Sequence, residues 1–312
     1  MTETNHISIV IPIYNENESL VQLLNEINIL FNDKKLPEII FIDDGSSDGS
    51  TEILKKIAID NSHVKLIIFK KNYGKSIALN EGFNLASRDF VITMDGDLQD
   101  DPKEIFSLIE KLNQGYDMVS GWKKNRKDPI SKRFPSKIFN FVLRMVTGLK
   151  IHDFNCGLKA YKKHVLNTIS LYGGLHRYIP ALAKQNGYTC AEIIVNHRAR
   201  QFGTTKYGGS RFLRGFFDLF TVMFLGKYFN RPLHFFGKIA LLFFSAGFAI
   251  SFYLTIGWIQ GVWINNRPLF FLGILLIIIG IQFFSIGLLG ELFVKVDSTN
   301  KTPNMDIIDN VN

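Results

Sequence analysis

Two runs near the C-terminus contain no charged residue: "IALLFFSAGFAISFYLTIGWI" at 239–259 and "LFFLGILLIIIGIQFFSIGLLG" at 269–290. Each meets the requirement of about 20 apolar residues for a helix that crosses a bilayer. A buried hairpin in a large soluble protein is the competing explanation. The connector "QGVWINNRP" is short, so the two helices are expected as an antiparallel pair. Arg211, Arg214, Lys227, Arg231 and Lys238 precede the first run, Lys295 and Lys301 follow the second, and the connector holds only Arg267. By the positive-inside rule both termini are expected to face the cytoplasm, and the chain is expected to be a multi-pass protein of the cell (inner) membrane. The expected layout is a soluble domain at 1–205, an interfacial region at 206–232, two spanning helices within 233–295 (about 235–259 and 269–293), and a disordered tail at 296–312.

The first 200 residues have a different character. Buried strands are expected at "ISIVIPIY", "EIIFIDD", "VKLIIF" and "FVITMD", with helices near 17–31, 50–60, 75–86 and 103–113. This alternation implies an α/β fold, a mainly parallel sheet with helices on both faces. Ligands then bind beyond the carboxyl ends of the strands. Three such ends carry unusual polar residues: Asn15-Glu16, Asp43-Asp44-Gly45-Ser46 and Asp95-Gly96-Asp97. No GxGxxG follows the first strand and no GxxxxGK[ST] is present, which argues against dinucleotide and P-loop sites. The two cysteines, Cys156 and Cys190, form neither a disulfide framework nor a zinc pattern. The N-terminus lacks the pattern of a signal peptide.

The stretch "FVITMDGDLQDDP" at 90–102 runs from an apolar strand into four aspartates. Asp100 or Asp101 can cap the following helix, with Pro102 at its start. Asp95 and Asp97 are not explained that way. They flank a glycine and repel each other unless a cation lies between them, and a hard divalent cation with oxygen ligands suits the pair. Alternation along an extended segment would put 95, 97 and 99 on one side. The loop is no EF-hand, because its sixth position is Asp100 and its twelfth is Phe106. For Asp43-Asp44-Gly45-Ser46, a capped turn explains Ser46 or Ser47 and Asp48, and leaves at least one aspartate over.

Basic residues cluster elsewhere. "WKKNRKDPISKRFPSK" at 122–137 carries seven basic residues against one acid. After it, Phe134, Ile138, Phe141, Val142, Met145, Val146 and Leu149 form one helical stripe, and Arg133, Lys137, Asn140 and Arg144 the other. A basic amphipathic helix at 131–149 is expected to lie on a membrane surface, the alternative being a helix packed on the domain with a solvated basic face. The segment at 211–229 is too apolar for a soluble face and too interrupted to span, so it is placed at the interface.

Together, "SIVIPIYNE", "IDDGSSDGS" and "MDGDLQDDP" resemble a family 2 glycosyltransferase of GT-A fold. With the C-terminal hairpin, over residues 6–295, the chain is similar to the polyprenyl-phosphate glycosyltransferases, the dolichol-phosphate mannose synthase and bactoprenol glucosyltransferase group. The resemblance implies an inverting transferase moving a sugar from a UDP- or GDP-linked donor to a polyprenyl phosphate at the bilayer, with Mg²⁺ or Mn²⁺ as cofactor. It implies Asp95, Asp97 and Gln99 as the metal site, with Asp95 and Gly96 near the donor. Pro12, Tyr14, Glu16 and Asp44 match the family's nucleoside contacts. "NHRARQFGTTKYGG" at 196–209 resembles its R-x-x-G-x-S-K loop, with an extra residue and Thr for Ser, which would make Arg200 catalytic and bring Arg200 and Lys206 to phosphates. Lys123 stands where relatives often have Arg, and Lys132 or Arg133 with Ser136 fits the acceptor-phosphate position. "DFNCG" at 153–157 replaces a more usual D-x-x-S/T-G, so Asn155 and Cys156 are expected to shape the sugar pocket. A transferase onto a lipid or saccharide hydroxyl, or a non-catalytic nucleotide-sugar-binding scaffold, are the other functions the motifs admit. A polymer synthase's Q-x-x-R-W is absent. No nucleic-acid partner is expected, and a homo-oligomer stays open.

Overall fold

The computed structural model describes residues 6–31, 35–124, 140–141, 143–145, 147–199, 224, 228, 231–263 and 268–300. Strands and helices alternate from the start: β1 (Ile7–Ile13), α1 (Leu20–Leu30), β2 (Glu38–Asp43), α2 (Ser50–Asp60), β3 (Val64–Ile68), α3 (Lys75–Leu85), β4 (Phe90–Thr93) and α4 (Glu104–Asn113). These agree closely with the segments expected from periodicity. β5 (Met118–Trp122), β6 (Lys159–Lys162), α5 (Lys163–Leu166), α6 (Ile179–Gln185) and β7 (Cys190–Ile194) complete the soluble unit.

The seven strands form one sheet in the order β3-β2-β1-β4-β6-β5-β7. β6 is antiparallel to both β4 and β5, and the other neighbours are parallel. The near-continuous apolar runs of β1 and β2 follow from burial on both sheet faces. One face packs Ile9, Ile11, Phe41 and Ile92 against α1, α2 and α4 residues such as Leu23, Leu54 and Leu108. The other packs Val10, Ile40, Val91 and Tyr161 against Leu79 and Phe83 of α3 and Ile179 of α6. The parallel strands β1, β2 and β4 therefore end on one edge, where the polar loops lie.

The chain divides into two compact units, Met1–Val222 and Met223–Asn312. In the second, α7 (Pro232–Ile259) and α8 (Pro268–Asn300) pack against each other. Pro232–Ile259 and Pro268–Val294 are long and apolar enough to cross a membrane, with only 17% and 11% of their most apolar windows buried. Their contact runs over glycines. A Cβ at Gly247 would lie 2.7 Å from the Gly273 carbonyl oxygen, and one at Gly280 would lie 2.9 Å from the Phe244 nitrogen. Such close approach is how apolar helices associate where no hydrophobic force drives them together.

In the amphipathic segment one polar residue departs from its expected face. Residues 140, 141, 143–145 and 147 are helical, but Asn140 and Leu143 are the buried side chains while Phe141 and Met145 are exposed. Asn140, placed on the polar stripe by periodicity, is buried because its Oδ1 accepts the Phe154 amide at 3.4 Å.

Candidate active site

Two loops at the strand ends are laced together before any ligand is considered. Asn15 takes a left-handed φ of 53°, and its Oδ1 accepts the Ser47 amide at 2.8 Å. The Asn15 and Glu16 amides donate to Ser46 Oγ and Ser50 Oγ, and Asn17 bonds Asp48 through both its amide and its side chain. Gly45 has φ 73°, and a Cβ there would meet the Lys71 carbonyl carbon at 2.4 Å, so only glycine fits the turn. Pro12 is half-buried and Tyr14 exposed beside this lacework.

The adjacent aspartates divide the work. Asp43, fully buried, accepts the Ser46 amide at 2.9 Å and the Thr51 hydroxyl, so it closes the turn into α2. Asp44 points to the following loop, where Oδ1 accepts the Tyr73 amide at 2.7 Å and Oδ2 the Gly74 amide at 2.9 Å. Burial raises the Asp44 carboxyl above its ordinary value against the pull of those amides.

The acidic loop turns instead of extending. Leu98 has φ 60° and is buried, and Ser19 Oγ donates to the Gly96 carbonyl at 2.6 Å. The exposure pattern nonetheless alternates as expected: Asp95, Asp97 and Gln99 are half-buried, while Met94, Gly96, Leu98 and Asp100 are buried. The left-handed residue achieves what an extended segment would have done, because it sends Leu98 into the core and keeps 97 and 99 on the outer side. Asp97 Oδ1 accepts the Gln99 amide at 3.2 Å.

The other two aspartates of the loop are structural, but in different ways. Asp101 accepts the Lys103 amide at 3.1 Å, as a helix cap does. Asp100 is no cap. It is 1% exposed, accepts the Asp95 amide at 3.2 Å, and pairs with Lys123 Nζ at 2.7 Å. Arg198 clamps the loop from outside, with Nη1 2.6 Å from Glu26 and Nη2 2.9 Å from Asp101. Its backbone amide donates to the Gln99 carbonyl at 2.9 Å.

Three lysines surround Asp95. Lys75, at the first turn of α3, forms an ion pair with Asp95 Oδ1. Burial would raise the Asp95 carboxyl, but the Lys75 and Lys123 ammonium groups outweigh it and hold it far below the usual carboxylate range. Burial would likewise lower Lys123, and Asp100 reverses the direction. Lys159 is different: it is 3% exposed, donates to the Cys156 carbonyl, and is pushed down to about 8 by burial. Gly157 completes the enclosure, since a Cβ there would lie 2.4 Å from Asp95 Oδ2. Behind these groups is a cavity of about 10 Å³, lined by Lys75, Thr93, Asn155, Lys159, Tyr161 and His176 among others. The Ser76 hydroxyl accepts the His176 amide at 3.1 Å and lies 2.9 Å from His176 Nδ1, and burial keeps that ring well below its ordinary pKa.

Pro12, Tyr14, Glu16, Asp44, Asp95, Gly96, Asp97, Gln99 and Lys123 thus all belong to the strand-end loops or the residues packed on them. Lys132, Arg133, Ser136, Arg200 and Lys206 lie outside the described residues. Lys75 and Lys159 were not anticipated. Lys75 carries a weak signal, a lysine directly after a glycine where a helix begins; Lys159 sits in a strand and carries none. Among the described residues no group of three or more His, Cys, Asp or Glu could hold a metal by itself. Two carboxylates and an amide, completed by phosphate oxygens and water, are still what Mg²⁺ commonly takes.

The family model for glycosyl transferase family 2 matches residues 8–170. The chain is 34% identical over 296 residues to a dodecaprenyl-phosphate galacturonate synthase of Rhizobium johnstonii, covering 93% of this chain and 88% of that protein. It is 35% identical over 293 residues to an undecaprenyl-phosphate 4-deoxy-4-formamido-L-arabinose transferase of Proteus mirabilis, covering 92% and 88%. Among solved structures, glucosyl-3-phosphoglycerate synthase from Mycobacterium tuberculosis, in complex with Mn²⁺, UDP and phosphoglyceric acid, aligns with a TM-score of 0.56 at 18% identity. That alignment covers 70% of this chain and 78% of the other. At that identity the likeness is one of fold.

Proposed function

The chain belongs to glycosyl transferase family 2, and we propose that it moves a sugar from a nucleoside-diphosphate donor to the phosphate of a polyprenyl lipid. The observation that carries this is the likeness to two polyprenyl-phosphate sugar transferases over more than nine-tenths of the chain, apolar C-terminal hairpin included. The same hairpin is the basis for placing the protein in a membrane.

The nucleoside is assigned to the crevice formed by Pro12, Tyr14, Glu16 and Asp44, and the diphosphate to the neighbourhood of Asp95, Gly96 and Asp97. Asp95, Asp97 and Gln99 would hold a Mg²⁺ or Mn²⁺ ion, whose chemistry is to neutralise charge on the leaving diphosphate. The chain's own contribution is to keep this site charged and fixed. Lys75 and Lys123 keep Asp95 ionised, and the Asp100–Lys123 pair and the Arg198 clamp hold the loop. Lys123, with its ammonium on Asp100, acts on the donor through its field. Arg200 and Lys206 are assigned to phosphates, and Lys132, Arg133 and Ser136 to the acceptor head.

A lipid monophosphate, with a second pKa of roughly 6, is largely dianionic near neutral pH. It attacks the anomeric carbon without surrendering a proton, so no catalytic base is needed, and direct displacement inverts the centre. Positioning and charge neutralisation carry the rate. The purified full chain, given uridine and guanosine donors with undecaprenyl phosphate, should form a lipid-linked sugar with one donor series. EDTA should stop the reaction, and Mg²⁺ or Mn²⁺ should restore it. No transfer with any donor, or full transfer by metal-free protein, would refute the assignment.

A further inference from the structure

Of the helical residues 140, 141, 143–145 and 147, Asn140 and Leu143 turn into the domain, while Phe141 is 54% and Met145 71% exposed. Together with Leu149, these two form the apolar lining of an open groove of about 510 Å³, to which Arg144, Lys150 and His152 supply the polar lining. That volume falls within the range of small-molecule sites.

The polar end is preformed. The His152 ring stacks on Trp122 with centroids 4.1 Å apart and planes 13° apart, and its Nδ1 lies 2.7 Å from Glu192 Oε2. Glu192 Oε1 also accepts the His152 and Asp153 amides at 2.8 and 3.0 Å. A carboxylate on one ring nitrogen fixes the imidazole's orientation, as it does behind histidines that bind ligands. Glu192 is 9% exposed at its side chain and is directed to His152, so the Arg144 and Lys150 charges are left to the groove.

An exposed Phe-Met stripe beside the Arg144 and Lys150 charges and a fixed imidazole suits a molecule that is anionic at one end and apolar at the other. We propose that this groove holds one anionic glycerophospholipid of the bilayer, its phosphate on Arg144, Lys150 and His152 and its upper acyl chain along Phe141 and Met145. The inference rests on the membrane placement above. None of the residues lining the groove is among the groups placed around Asp95 (Lys75, Lys123, Lys159 and Gly157), so the groove is assigned to a bilayer lipid, and displacement by the acceptor is an outcome of the test.

The test uses the full-length protein extracted from nanodiscs of mixed phosphatidylglycerol and phosphatidylcholine, with retained lipids counted by native mass spectrometry. The wild type should keep one phosphatidylglycerol in preference to phosphatidylcholine. Arg144→Gln with Lys150→Gln should weaken that preference by about twenty-five-fold, a factor of about five for each charge. Lys55→Gln with Lys56→Gln, an equal charge change on exposed residues of α2, should leave it unchanged. Equal retention by the Arg144/Lys150 variant, or equal loss in the α2 control, would overturn the site. Displacement of the retained lipid by one equivalent of undecaprenyl phosphate would also overturn it, by giving the groove to the acceptor. Because lipid counting reads no transfer, failure of the enzymatic assignment and failure of this site are separate results.

Discussion

Asp97 and Asp100 lie three residues apart in one loop, yet their surroundings set different consequences for removing their charge. Asp97 is half-buried at the outer side of the loop, whereas Asp100 is buried on Lys123. Asp97→Asn should therefore lower transfer about a hundredfold or more while changing stability by no more than about 0.5 kcal/mol. Asp100→Asn should cost about 3–5 kcal/mol, because it strands the Lys123 charge in the interior. Transfer assays beside thermal melts separate the two, and an Asp97→Asn variant that melts as early as Asp100→Asn would make Asp97 structural. Lys159 offers a pH test. Its folded pKa is near 8, against about 10.4 for a free lysine. Between those values the unfolded chain binds more protons, so stability should rise with pH across that window, by up to about 3 kcal/mol. Lys159→Met should remove the rise; an undiminished rise in the variant would place its origin elsewhere.

At the scale of elements, periodicity exposes β1 to β4: β3 is a half-exposed edge strand, and the other three are buried. β1, β2 and β4 are short apolar runs bounded by turn residues, and they fall where expected. β6 escaped because it reads "KAYK", with a lysine at each end and one of them buried. Its antiparallel place between β4 and β5 depends on pairing partners distant in sequence, which no local pattern encodes. The acidic loop was legible in residue type and spacing, but the left-handed turn at Leu98 was not. Asn140 falls on the polar stripe by periodicity but is buried, because it finds a backbone partner in the interior, while Phe141 and Met145 of the apolar stripe are exposed, as on a helix that lies on a membrane surface. In the hairpin, α7 and α8 approach each other closely, backbone to backbone, at Gly247 and Gly280. Gly247→Leu and Gly280→Leu should each destabilise the hairpin by overpacking, by about 1–3 kcal/mol, read as a lower melting temperature of the detergent-solubilised protein. Unchanged melting in both variants would mean the helices pack through other residues.

At the scale of the molecule, the order of the parts was legible because each has its own hydrophobic period: alternating buried strands and amphipathic helices first, then two uncharged runs. What the sequence could not disclose is the convergence of Lys75, Lys123 and Lys159 on one carboxylate, which the sheet order creates. Charge around the hairpin also supports an orientation. With Arg211, Arg214, Lys227 and Arg231 before the first span, Lys238 in its first two turns and one basic residue in the connector, cysteine tags at position 3 and near 305 should be shielded from an impermeant reagent in intact cells, and one at 265 labelled. Labelling of either terminus would reverse the topology. The claim on which the mechanism turns is that the nucleophile is a phosphate already carrying its charge. The direct measurement compares sugar transfer to undecaprenyl phosphate and to undecaprenol under identical donor, metal and detergent conditions. The account predicts product from the phosphate alone; equal transfer to the alcohol would contradict it and require a general base.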